Sequence, residues 1–87
     1  MGETVTVRMT RSDTQTPWGF QIQGGSDYSA PLTIASVISG SLSERAGLRG
    51  GDVVSTLCGR SSQSMSHREA QETIMRAANH VDLVVQR

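Results

Sequence analysis

Pro17-Trp18-Gly19-Phe20, running into Gln21-Ile22-Gln23, is the stretch whose reading decides the architecture. A proline, a glycine between two large aromatics and then strict alternation read as a tight loop that opens directly into an edge strand. Gly19 lacks a Cβ, so the backbone N–H groups of Trp18, Gly19 and Phe20 can turn toward one point, the arrangement a carboxylate needs. The same residues also fit a plain turn between two strands, with Trp18 and Phe20 as ordinary core. The surrounding chain has to choose between these two readings.

Working outward, Val5, Val7 and Met9 alternate with Thr4, Thr6, Arg8 and Thr10, the period of a half-buried first strand. Arg11 to Pro17 is then a loop. Phe20 and Ile22 point one way and Gln21 and Gln23 the other, Gly24 to Pro31 reads as a flexible hairpin loop, and Leu32 to Val37 is the partner strand. Ser41 and Glu44 stand at capping-box spacing and Gly47 supplies a left-handed stop, which predicts a helix of little more than one turn. Gly50-Gly51-Asp52 turns the chain into a strand from Val53 to Leu57. Cys58-Gly59 is the next turn, and Arg60 to Met65 is a short edge strand or a loop.

Ser66 starts the principal helix, three residues before Glu69 in a second capping box. Ala70, Ile74 and Ala77 form its apolar stripe, while Arg68, Glu69, Glu72 and Arg76 gather opposite. Val81, Leu83 and Val85 close the chain as a last alternating strand. The expected fold is α+β: one domain over residues 1–87, a partly open antiparallel β-barrel or sandwich of five to six strands capped by two helices.

Composition narrows the function. The chain has 87 residues, enough for one modest core, and its formal net charge is zero. All eight basic residues are arginines, scattered from Arg8 to Arg87 without a run, so no electrostatic footprint for nucleic acid or anionic lipid emerges. The lone Cys58 cannot close an internal disulfide, which fits a reducing, intracellular setting. No apolar run is long enough to span a membrane, and the start has no signal-peptide centre. Met1-Gly2-Glu3-Thr4-Val5-Thr6 matches an N-myristoylation pattern, although Gly after an initiator Met also arises by cloning or by chance. Neither a nucleophile elbow, a zincin motif nor a phosphate loop occurs, and Cys58, His67 and His80 lack structural-zinc spacing. The expectation is a binding module with no catalytic residue, metal or cofactor.

In its order of elements and its motifs the chain resembles a PDZ domain from Thr4 to Arg87. Pro17-Trp18-Gly19-Phe20 stands where that family has its carboxylate-binding loop, Gly51-Asp52 matches its turn before the fourth strand, and Ala46-Gly47 matches the end of its short helix. The Pro-Trp-Gly-Phe version, Gln23-Gly24-Gly25 and the helix opening Ser66-His67-Arg68-Glu69-Ala70-Gln71 are most similar to the ALP/Enigma/ZASP group of PDZ-LIM proteins.

The resemblance implies that another protein's C-terminal tail adds as a strand between Phe20-Gln21-Ile22-Gln23 and the helix from His67 to Ala78, by the β-augmentation for which PDZ domains are a standing example. Trp18, Gly19 and Phe20 would hold the carboxylate. Trp18, Phe20, Ile22 and Ile74 would enclose the last side chain. At 100° per residue, His67, Gln71, Ile74 and Ala78 fall within about 60° on one helix face, with Ala78 at the groove edge. By resemblance His67, with Gln71 beside it, would select a Ser or Thr two residues before the ligand's end, a class I-like preference. Arg11 lies too early to match the basic residue that many PDZ domains use near the carboxylate. The partner class implied is an actin-associated protein such as α-actinin, the place the cytoplasm and its cytoskeleton at Z-discs or stress fibres, the isolated domain a monomer, and the chain a piece of a longer PDZ-LIM protein. A PDZ domain that docks an internal motif or a lipid head group is the competing reading.

Overall fold

β-branched and alternating residues build six stretches of the chain into a single antiparallel sheet. In this computed structural model, which describes residues 2–87, the strands are β1 (Thr4–Thr10), β2 (Phe20–Gly25), β3 (Ala30–Val37), β4 (Val53–Leu57), β5 (Arg60–Ser61) and β6 (His80–Gln86). Two helices, α1 (Leu42–Arg45) and α2 (His67–Arg76), complete the fold. The acylation pattern begins at Met1, which lies outside the described residues. The sheet runs β1-β6-β4-β3-β2, with β5 paired to β4, and is not closed. β2 therefore has β3 on one side and an unpaired edge on the other.

Alternation places Val7 and Met9 of β1, Leu32 and Ile34 of β3, and Val81, Leu83 and Val85 of β6 in one buried cluster, and a register shift between Val54 and Thr56 brings Val54 and Leu57 of β4 into it as well. Met65 and Ala70 join them from the α2 side. Each larger side chain so buried contributes about 1.5–3 kcal/mol, which holds sheet and helix together. β1 and β6 pair without interruption from Thr4 opposite Gln86 to Thr10 opposite His80. The Gly51-Asp52 turn is locked by the buried Asp52 carboxylate, which accepts from the Arg49 amide at 3.0 Å and from Arg87 Nε at 2.9 Å.

Three local details differ from the reading of the sequence. The segment after β2 is one 3-10 turn over Ser26–Tyr28, and β3 starts at Ala30 instead of Leu32. Its position is fixed from outside: the Ser26 amide donates to the Met65 carbonyl at 2.9 Å, and the His67 amide donates to Asp27 Oδ1 at 2.9 Å. The Ser41 cap is half of a capping box, because its hydroxyl accepts from the Glu44 amide while Glu44 Oε1 accepts from Gly40 rather than Ser41. The α2 cap is reciprocal, with both Ser66 and Glu69 taking part. Finally, α2 stops at Arg76 and Ala78 takes a left-handed backbone with φ 38°, since β6 must begin pairing with β1 at His80.

Candidate functional site

Phe20 follows the loop immediately, and the loop's carbonyls decide where its amides point. The Trp18 carbonyl accepts from Ser43 twice, from the amide at 3.0 Å and from the hydroxyl at 2.6 Å. A trans peptide carries its N–H opposite its C=O, so the Gly19 N–H faces away from α1. The Gly19 carbonyl in turn accepts from the Ile38 amide at 2.7 Å. With Phe20 opposite Val37, that bond marks a non-hydrogen-bonded pair, and the Phe20 N–H faces the open edge. The Trp18 N–H has no acceptor in the loop among the described residues.

Gly19 is required twice over. Its φ is +90°, and a Cβ there would stand 2.1 Å from the Cβ of Ser41, the residue that caps α1. The loop before it is stiffened by Asp13, whose carboxylate accepts from the Thr16 hydroxyl and from the amides of Thr16 and Gln15. Those bonds, the hydroxyl's first, hold the Asp13 carboxyl below its ordinary range.

Between this loop and α2 lies an open cleft of about 660 Å³. Trp18, Gly19, Phe20, Gln21, Ile22, Gln71 and Ile74 line it, so seven of the residues singled out in the sequence meet there. Trp18 is only 6% exposed and serves mainly as core. Its ring lies 4.3 Å under the Arg11 guanidinium, and its indole N–H is buried without a hydrogen-bond partner among the described residues. Arg11 also donates to the Thr16 carbonyl at 2.6 Å and to the Ala78 carbonyl at 2.7 Å, tying the loop to the far end of α2.

Ala78 is displaced from its expected place at the groove edge. It lies past the helix end, exposed to solvent and outside the lining of the cleft, because the left-handed turn takes it off the α2 face. Its place at the rim is taken by Met75 and Ile38, 79% and 58% exposed, which the sequence did not single out. Two large apolar side chains left in water beside a cleft are the signal that betrays them, and only burial reveals it.

His67 lies on the first turn of α2, outside the lining of this cleft and beside a separate hollow of about 410 Å³ that Ile22, Gln23 and Tyr28 also border. Its Nδ1 lies 2.9 Å from the Gly24 carbonyl. A carbonyl only accepts, so in the neutral ring Nδ1 carries the proton and Nε2 keeps its lone pair. The Tyr28 ring meets the imidazole edge-on at 5.7 Å between centroids. Gln23 extends the free edge of β2 beyond Ile22 and is exposed. A second hollow of about 550 Å³, under β3 and β4, is lined mainly by serines and apolar residues and lies away from the free edge. No group of three or more potential metal ligands occurs among the described residues, and no helix is long and apolar enough to cross a membrane.

A family model described as PDZ domain matches residues 6–86. The chain is 41% identical over 81 residues, 93% of its length, to the PDZ and LIM domain protein Zasp of Drosophila melanogaster, of which it spans 4%. It is 45% identical over 71 residues, 82% of its length, to PDZ and LIM domain protein 4 of Homo sapiens, of which it spans 22%. Among solved structures it superposes on a choanoflagellate SHANK1 PDZ domain bound to a GIRK3 peptide with a TM-score of 0.86, at 24% identity, covering 100% of this chain and 94% of that one.

Proposed function

The chain belongs to the PDZ domain family of protein-interaction modules, and from that premise we propose that it binds free C-terminal tails ending in Ser or Thr, any residue, then an apolar residue. One observation carries the reading: the Gly19 and Phe20 amides are turned by tied carbonyls toward the same cleft that the unpaired edge of β2 borders. A peptide entering antiparallel to β2 would pair its backbone with Phe20, Gln21, Ile22 and Gln23, and such main-chain bonds give affinity without sequence preference. Its carboxylate would rest on the amides of Trp18, Gly19 and Phe20.

Selectivity would come from side chains. Phe20, Ile22 and Ile74, floored by Trp18, would take the last side chain, with Met75 and Ile38 as flexible lips around it. His67 Nε2 would accept the hydroxyl proton of the third-last residue, and the exposed Gln71 would border the same position. A short peptide that is ordered on binding should reach micromolar affinity, about −6 to −8 kcal/mol. The similarity to PDZ-LIM proteins supports a role as a cytoplasmic adaptor at the actin cytoskeleton, at Z-discs or stress fibres, with α-actinin as the first tail to try.

Amidating the C-terminus of a bound peptide tests the reading. Removal of the negative charge is expected to weaken binding at least tenfold by fluorescence anisotropy, since charge-assisted bonds are about twice as strong as neutral ones. Equal affinity of the acid and the amide would transfer the site to an internal segment and refute the carboxylate grip.

A further inference from the structure

Arg11 lies outside the lining of the cleft, yet its side chain holds two of the parts that enclose the last ligand side chain. Its own N–H extends the β1–β6 ladder by donating to the Asn79 carbonyl at 3.0 Å, which fixes where that side chain starts. From there Nη1 donates to the Thr16 carbonyl at 2.6 Å, two residues before Trp18. Nε donates to the Ala78 carbonyl at 2.7 Å, four residues after Ile74 and just past the C-cap of α2, where a cation also suits the helix dipole. The guanidinium carbon lies 4.3 Å from the centre of the Trp18 ring. One rigid plane therefore spaces the floor of the pocket from the end of its helical wall.

At its other end α2 is tied to the β2–β3 hairpin through His67, which meets Gly24 and Asp27. Among the described residues no hydrogen bond joins α2 to β2 between those two ends, so the spacing at the carboxylate end depends on Arg11. Ile22 and Ile74, both lining the cleft, are β-branched and stiff at χ1, and make little room by changing rotamer. Given the groove reading above, on which this step rests, we propose that Arg11 is a positioning residue that fixes the width of the pocket for the ligand's last side chain. At that width the pocket takes a Leu and disfavours the broader ring of Phe. A ring would need Trp18 or the end of α2 to move, and the guanidinium holds both.

Titration with labelled peptides that share a third-last Thr and end in Leu or Phe, each as free acid and as amide, tests this. The unaltered protein is expected to bind the Leu acid about fivefold or more tighter than the Phe acid, the scale of a mild overpacking penalty. Arg11→Met keeps the stem without the planar head, and should bring that ratio below about twofold, mainly by weakening the Leu peptide. Arg11→Lys keeps the charge but has one nitrogen, too few to span both carbonyls, and should lose selectivity in the same way. Urea denaturation shows that each variant is folded, and the Lys variant carries the test should the Met variant not fold. Equal binding of Leu and Phe by the unaltered protein, or a ratio that survives either substitution, overturns the proposal and leaves the groove reading standing. So does a variant that weakens both peptides by one factor, since Arg11 would then serve stability alone. A change confined to the acid-to-amide ratio overturns it too, because Arg11 would then act on the carboxylate's charge. Failure of every peptide to bind the unaltered protein removes both readings.

Discussion

At the scale of the residue, His67 shows how one backbone contact can set a side chain's chemistry. The imidazole is held by a carbonyl 43 positions earlier in the chain, and in the neutral ring that bond leaves Nε2 as the acceptor. A threonine hydroxyl can use that lone pair and a valine methyl of the same shape cannot. His67→Ala is thus expected to erase the preference for Thr over Val at the third-last ligand position, a loss of about three- to tenfold for one neutral hydrogen bond. Peptide binding itself should persist. Unaltered Thr-over-Val selectivity in calorimetric titrations would take His67 out of the recognition. Gly19 is a residue-scale necessity of another kind: its positive φ follows from the tight loop, but the contact that a Cβ would make with Ser41 follows from the packing of α1.

Among the elements, α2 is the wall that the cleft depends on, and its first turn is the part that carries His67. Ser66 closes that turn by accepting from the Glu69 amide at 3.0 Å, and Glu69 answers by accepting from Ser66. Ser66→Ala should cost about 1 kcal/mol of stability in urea denaturation. It should also weaken peptide binding, because fraying displaces the imidazole. A change in stability without any change in affinity would show that the contacts with Gly24 and Asp27 position His67 without the cap. The exposed pairs of Arg68 and Arg76 with Glu72, at 3.0 and 3.8 Å, sit on the outer face and add at most a few tenths of a kcal/mol each. The cap and the buried Ala70 position α2, and its surface charges decorate it.

For the molecule as a whole, one apolar cluster supports both the sheet and the cleft. Ile34 is fully buried at its centre and pairs across the sheet with Ile22, which lines the groove. Ile34→Ala is expected to lower unfolding free energy by about 2–5 kcal/mol, measured as a shift of the urea midpoint at unchanged slope. A loss under 1 kcal/mol would mean that the core closes around the gap and does not depend on that side chain.

Alternation in β1, β2 and β6, both serine caps and the glycine turns were legible from the chain because each is governed by forces between residues a few positions apart. So was the loop from Pro17 to Phe20, whose composition admits few backbones. Tertiary structure alone decided where the loop's amides point, since Ser43 ties the Trp18 carbonyl across 25 positions of chain. It also decided that α2 ends at Arg76 and drops Ala78 from the groove, because β6 must meet β1, and that Ile38 and Met75 rim the cleft in its place. Local preference shapes an element, but an element's aim, its stopping point and its exposed side depend on distant partners that exist only once the chain has folded.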